Sequence, residues 1–315
     1  MKKIMTMVLI GVMLVGALTF TGCAKKSDKK MTIGVSIANF DDTFLTYMMD
    51  GMKDYAKKLQ EDGIELEVEY TDAKEDMAKQ MDQVETFVVQ QKDAIVVVPV
   101  DTSASDPLTQ AATNAEIPIV YVNRNPGNLP EGAYYVGSEE IKAGIMQMEF
   151  LAEKLGGKGK IAILMGKLDN EGALKRTEGV EQISAKYDGI EIVDKQTGLW
   201  QRNEGMMKTE DWLNRFGDDL KAIASNNDDM ALGAIQALKD SGRDDILIVG
   251  VDATPDGLNA LKNGELTATV FQDAAGQGGG AIELAYKAAK GDKPEQEKWI
   301  DFKLVTPENL DEFLK

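Results

Sequence analysis

The chain has no histidine and only one cysteine among its 315 residues. Without imidazole there is no Ser-His-Asp triad, no Cys-His pair and no His-containing zinc site. One thiol cannot close an internal disulfide or supply a thiolate metal cluster. An enzyme built on this sequence would have to run on carboxylates, lysine or tyrosine. Beyond Phe20 no apolar run reaches the roughly 20 residues that a membrane span needs. Positive charge is also scarce: 35 Lys and Arg stand against 53 Asp and Glu, a net charge of −18. Nucleic-acid binders carry basic patches, so no nucleic-acid partner is expected. The acidity reads as a solvated surface that keeps the chain dispersed. A cationic ligand stays open on charge alone.

What is present begins at the N-terminus. Lys2 and Lys3 precede the uncharged apolar run Ile4–Phe20, then Phe20-Thr21-Gly22-Cys23 and the polar stretch Ala24–Lys30. A basic start, a short apolar core and small residues before a cut site describe an export signal rather than a spanning helix. The segment resembles a bacterial lipoprotein signal, with Phe20 where Leu is commoner. That resemblance implies cleavage after residue 22, lipid on Cys23 and a tether over residues 23–31. The alternative is a plain signal peptide with an incidental thiol. The expected location is the outer face of the cytoplasmic membrane or the periplasm. The remaining body, roughly 300 residues, suffices for two ordinary domains.

The body alternates strand and helix. Strands are expected at Thr32–Ala38, Leu66–Tyr70, Ala94–Val98, Ile117–Val122 and Tyr134–Val136. The alternation restarts with Ile161–Leu164, Ile190–Val193, Ala222–Ala224, Ile246–Val251 and Thr267–Val270. The clearest helices are Thr43–Glu61, Met77–Gln91, Leu108–Ala115, Met230–Asp240 and Ala281–Lys290. Continuous apolar runs such as Ala94–Val98 suit strands buried on both faces. The pattern predicts an α/β fold of parallel sheets flanked by helices. The halves echo each other: Ile117-Pro-Ile-Val-Tyr-Val-Asn123 is like Ile246-Leu-Ile-Val-Gly-Val-Asp252, and Val98-Pro-Val-Asp101 is like Ala224-Ser-Asn-Asn-Asp228. No low-complexity linker divides them, so two similar lobes joined by a multi-strand hinge are expected, with a ligand cleft between.

Ligands of open parallel sheets bind outside the carboxyl ends of the strands. The polar residues there are Asp41, Asp42, Asp72, Asp101, Asn123 and Arg124 in the first half. The second half adds Asp169, Asn170, Arg176, Trp200, Gln201, Arg202, Asn227, Asp228, Asp252 and Gln272. Carboxylates, amides and guanidiniums from both sides can satisfy hydroxyls that donate and accept, and an indole suits the apolar face of a ring. Each position also has a structural reading. Asp101, Asn227 and Asp228 precede helices and suit N-caps, Trp200 suits packing, Arg176 a helix surface and Asp252 a turn. Their joint placement at strand ends in both halves is the stronger signal.

Several segments resemble one family closely. Ser225-Asn-Asn-Asp-Asp-Met-Ala-Leu-Gly-Ala-Ile-Gln-Ala-Leu238 and Val249-Gly-Val-Asp-Ala-Thr-Pro-Asp-Gly257 are highly specific. Asn39-Phe-Asp-Asp-Thr-Phe44, Tyr121-Val-Asn-Arg-Asn-Pro126 and Ala133-Tyr-Tyr-Val-Gly-Ser138 add to them. From Ile33 to about Leu310 the body resembles type I periplasmic binding proteins of ABC importers, in the ribose, galactose/glucose and inositol group. The resemblance implies lobes at 32–137 plus 273–300 and at 138–272 plus 301–315. It implies ligand contacts from Asp42, Phe44, Asp101, Asn123, Arg124, Asn170, Arg176, Trp200, Asn227, Asp252 and Gln272, with Phe44 and Trp200 stacking on a ring. Galactose/glucose binders have a histidine and an aspartate before the arginine matched by Arg176. Here the stretch is Asp169-Asn-Glu-Gly-Ala-Leu-Lys-Arg176, leaving Asn170 or Glu171 to substitute. Their calcium loop is replaced by Gly156-Gly-Lys-Gly159, so no metal and no cofactor are implied. Asn123-Arg124 resembles inositol-type binders.

The expected activity is therefore capture of a monosaccharide or cyclitol by hinge closure and delivery to an ABC permease, with a chemoreceptor as a second candidate reader of the closed form. No bond in the ligand changes. A receptor for a furanosyl signalling molecule is the near alternative. A secreted glycoside hydrolase would need two carboxylates about 5 or 6.5–9.5 Å apart, and no motif supports one. A sugar-responsive repressor would need DNA-binding helices where the export signal stands.

Overall fold

The computed structural model describes residues 30–314. Cys23 and the segment expected to be an export signal lie outside the described residues. The first unit opens with β1 (Met31–Ile37), α1 (Thr43–Glu61), β2 (Leu66–Asp72), α2 (Met77–Val89) and β3 (Ala94–Val97). It continues through α3 (Asp106–Asn114), β4 (Ile119–Val122) and β5 (Ala133–Gly137). The second unit runs α4 (Glu140–Lys154), β6 (Lys158–Met165), α5 (Glu171–Ser184), β7 (Gly189–Thr197) and α6 (Arg202–Phe216). Next come β8 (Leu220–Ser225), α7 (Asp228–Asp240), β9 (Leu247–Val249), α8 (Pro255–Lys262) and β10 (Thr269–Phe271). The chain ends with α9 (Ala274–Ala289), β11 (Glu297–Trp299) and β12 (Lys303–Val305).

The first sheet is all parallel, in the order β11-β5-β4-β3-β1-β2. The second is parallel, in the order β7-β6-β8-β9. Parallel bridges Val249–Ala268 and Asp252–Phe271 lead on to β10, which pairs antiparallel with β12. Central strands β3 and β4 are wholly buried, because helices cover both faces. On one face Val96 and Val120 pack with Met48 and Ile282; on the other Ile95 and Ile119 pack with Phe87 and Leu108. The paired segments noticed in the sequence occupy like places: β3 and β8 are interior strands, and β4 and β9 are their next neighbours.

The chain crosses between the sheets three times: β5 to α4, β10 to α9, and β11 to β12. After the first crossing α4 packs on α5, β8 and β9, and after the second α9 packs on α1, β3, β4 and β5.

One helix begins earlier than the sequence suggests. The sequence reading starts this helix at Ala281, after Ala274-Ala-Gly-Gln-Gly-Gly-Gly280, yet α9 starts at Ala274. Its glycines serve contact rather than flexibility. A Cβ at Gly278 would lie 2.0 Å from the Met48 carbonyl oxygen, and one at Gly51 would lie 2.6 Å from Ala275 Cα. The two helices meet backbone to backbone, which outweighs the low helix propensity of glycine. The short strands β11 and β12 also escape the sequence pattern, since three residues carry no periodicity.

Candidate ligand-binding site

Ten of the eleven residues singled out from the sequence line one cleft between the lobes. Its empty space, including what opens to solvent, is about 440 Å³. Asp101 is the exception. It lies outside the cleft lining, and its carboxylate accepts from the Ser103 amide at 2.8 Å and hydroxyl at 2.7 Å. It forms a local Asx turn ahead of α3 instead of facing the ligand space.

From the first lobe, Asp42 caps α1 by accepting from the Leu45 amide at 3.0 Å, leaving its second oxygen open. Phe44, in the first turn of α1, sits beside it. Burial raises the Asp42 pKa, and Arg124 nearby partly offsets this. Arg124 is buried and anchored by one bond to the Pro99 carbonyl at 2.8 Å. Asn123 donates to Gln277 Oε1 at 3.1 Å and keeps its own amide oxygen available.

From the second lobe, Arg176 on α5 is held on three sides. Nε donates to Glu140 Oε2 at 2.6 Å, Nη1 to the Asn226 carbonyl at 2.6 Å, and Nη2 to Gln272 Oε1 at 2.9 Å. A guanidinium has five N–H groups, so two remain for a ligand. Burial disfavours its charge, but Glu140 and Asp252 beside it raise its pKa on balance. Trp200 donates its indole N–H to Asn170 Oδ1 at 2.9 Å. Its ring lies over Gly166, where a Cβ would come within 2.1 Å. Asn227 caps α7 through Met230 and also faces the cleft.

Asp252 is the least compensated group. It is 6% exposed, and among the described residues its side chain pairs only with Arg176 Nη1 at 3.7 Å, beyond hydrogen-bond distance. Burial holds its pKa well above the usual carboxylate range. Its backbone is unusual too, with φ of +117°. Asn123 and Trp200 also adopt positive φ, both +67°. Such conformations cost roughly 1–3 kcal/mol each in non-glycine residues and gather at functional sites. Asp228, which the sequence also placed at a strand end, accepts from Thr254 N at 2.8 Å and Thr269 Oγ1 at 2.7 Å. It fixes the loop carrying Asp252 rather than lining the cleft.

The sequence reading missed Glu140, Leu45 and Gly172 in the lining. Glu140 was reachable: the strand-end rule, applied to the strand at Tyr134–Val136, points to the acids just beyond Gly137. Two of the positions chosen act on neighbours. Asn170 orients Trp200 and donates to the Val100 carbonyl, and Gln272 braces Arg176 and donates to Glu140 Oε1 at 3.2 Å.

The lobes also touch directly around the cleft. Thr43 Oγ1 donates to Asp229 Oδ2 at 2.6 Å, Lys167 Nζ pairs with Glu75 Oε2 at 2.5 Å, and Thr102 N donates to the Asp169 carbonyl at 3.2 Å. In this structure the two sides of the cleft are therefore in contact.

A family model described as a periplasmic binding protein domain matches residues 33–293. The chain belongs to the periplasmic binding protein family. A protein of Rhizobium meliloti named for rhizopine binding is 47% identical over 289 residues, covering 90% of this chain and 92% of that one. The xylitol-binding protein of Mycolicibacterium smegmatis is 35% identical over 288 residues, covering 91% and 80%. Among solved structures, an ABC transporter solute-binding protein of Bacillus halodurans with bound myo-inositol is 43% identical. It superposes with a TM-score of 0.86 and covers 91% of this chain and 98% of that one. The two-lobed α/β architecture is that of the type I group, whose members are binding proteins, not enzymes.

Proposed function

We propose that this periplasmic binding protein captures a cyclitol or a pyranose monosaccharide and hands it to an ABC permease. The single observation that carries the reading is the cleft itself. Open acceptors on Asp42, Asn123 and Asp252 share the cleft with open donors on Arg124 and Arg176, and Phe44 and Trp200 add rings to its lining. That complement suits a ring bearing hydroxyls on its edge and C–H groups on its faces. The 43% identity to a myo-inositol complex and the 47% identity to a rhizopine-named relative favour a cyclitol over galactose or glucose.

The working lobes are residues 32–137 with 273–300 and residues 138–272 with 301–315. Ligand bridges groups that only the closed state brings together, so binding favours closure. Lipid on Cys23 would keep the clamp beside the permease on the outer face of the cytoplasmic membrane.

Calorimetric titration of the body after Cys23, stripped of carried ligand by unfolding and refolding, tests the reading. The panel is myo-inositol, galactose, glucose, ribose and xylose. Tight one-to-one binding of myo-inositol is expected. Binding of none by folded protein would overturn it.

A further inference from the structure

Two hydrogen-bond networks flank the hinge, one on each lobe, and each ends on a cleft residue. On the second lobe, Arg176, Glu140 and Gln272 form a closed triangle. Arg176 donates to both partners, and Gln272 Nε2 donates to Glu140 Oε1 at 3.2 Å. Glu140 is the first residue of α4, just past the first crossing, and Gln272 stands immediately after β10, where the second begins. The Arg176 guanidinium also lies 5.8 Å from the ring of Phe302, in the third crossing. One cleft side chain thus touches a residue from every crossing.

On the first lobe, Asn123 donates to Gln277 Oε1 at 3.1 Å, and Gln277 Nε2 donates to Ser138 Oγ at 3.1 Å. Ser138 precedes Glu140 by two residues on the first crossing, and Gln277 follows Gln272 by five on the second. Gln277 and Ser138 are buried, and Gln277 does not line the cleft. Between the networks lie Glu139 on one crossing and Asp273 on the other, since α9 begins at Ala274 and Ala275 already packs on Gly51 of α1. Asn123, Gln277 and Ser138 bind one another on one side of these positions, and Arg176, Glu140 and Gln272 on the other, so bending of the two crossings is confined between the networks.

Resting on the cyclitol-clamp reading, we propose that Glu140 and Gln277 are positioning residues that couple ligand contact at Arg176 and Asn123 to the hinge. Neither needs to touch ligand for this. Each holds a ligand-facing group in register with the crossing segments, so that seating the ligand and setting the hinge angle become one event. Loss of either should uncouple the two.

The test uses the body after Cys23 with one spin label on each lobe, myo-inositol as the probe, and the variants Glu140→Gln and Gln277→Leu. Inter-lobe distances are measured without ligand and at saturation, alongside affinity and melting temperature. The expected result is affinity about tenfold weaker or worse, with a mixture of open and closed distances persisting at saturation in a folded variant. Rescue is expected in Gln277→Glu, whose carboxylate can still accept from Asn123. A folded Gln277→Leu that binds and closes as the wild type does would overturn the coupling, even if Glu140→Gln fails to fold. Failure of the wild type to bind the probe would instead sink the functional reading, and this proposal with it.

Discussion

The indole of Trp200 donates to Asn170 Oδ1 at 2.9 Å, while Asn170 Nδ2 donates to the Val100 carbonyl of the opposite lobe at 3.1 Å. One amide therefore both aims the ring that covers the ligand space and ties the lobes together. Asn170→Ala should weaken myo-inositol binding by roughly 1–3 kcal/mol, the usual effect of removing one partner of a buried bond. The ligand-induced change in tryptophan fluorescence should shrink with it and vanish in Trp200→Phe. An unaltered fluorescence response in Asn170→Ala would show that the ring is held by packing alone.

Among the described residues, the buried Asp252 carboxylate has no hydrogen-bond partner. Such a group destabilises the empty fold and strengthens a complex that supplies donors. Asp252→Asn is expected to lose roughly 1.5–3 kcal/mol of binding while the ligand-free melting temperature rises. Calorimetry and thermal melts read the two effects separately. A fall in both would mean that the carboxylate stabilises the fold.

Glu171 predicts a pH effect. One of its oxygens is buried without a partner, and burial, reinforced by Glu140, raises its pKa from 4.5 to about 7. The folded state therefore holds a proton that the unfolded state has released. The stabilisation is full below about pH 4.5, is lost as pH rises to about 7, and is flat above. The slope in that window approaches about 1.4 kcal/mol per pH unit. Melting temperature should fall from pH 5 to 7, and Glu171→Gln should make the fall shallower without abolishing it, because burial also raises the pKa values of Asp42, Asp228 and Asp252. An unchanged profile in the variant would assign the proton elsewhere.

The backbone contact of α9 with α1 gives a stability prediction. Gly278→Val would place a side chain where a Cβ already lies 2.0 Å from the Met48 carbonyl. Overpacking of this kind costs about 1–3 kcal/mol or more. Urea unfolding should show the loss, and Gly264→Ala, at an open turn with φ of +74°, should lose less. A loss at Gly278→Val no larger than that at Gly264→Ala would show that the α1–α9 contact tolerates a side chain there.

The alternation of strand and helix was legible because its cause is local. A strand buried on both faces must be apolar throughout, as in Ala94–Val98, and an amphipathic helix must repeat near 3.6 residues, as in Thr43–Glu61. The absence of histidine removed whole classes of chemistry without any structure. Strand ends were legible for the same reason, and they delivered Asp42, Asn123, Arg124, Asn227 and Asp252 to the cleft lining.

Other features depend on distant partners. Asp101 and Asp252 are both acids beyond apolar strands. One is satisfied by Ser103 two residues away, and the other is left facing the cleft by a positive φ and by bridges to β10. The glycine run opening α9 is a helix only because Met48 lies against it. Glu140 belongs to the site only because Arg176, 36 residues further on, folds back onto it. The sequence by itself determined the layers, the family and most of the polar inventory. Tertiary structure alone decided which groups satisfy one another and which stay open to a ligand, because hydrogen bonding inside a protein is set by distance in space rather than along the chain.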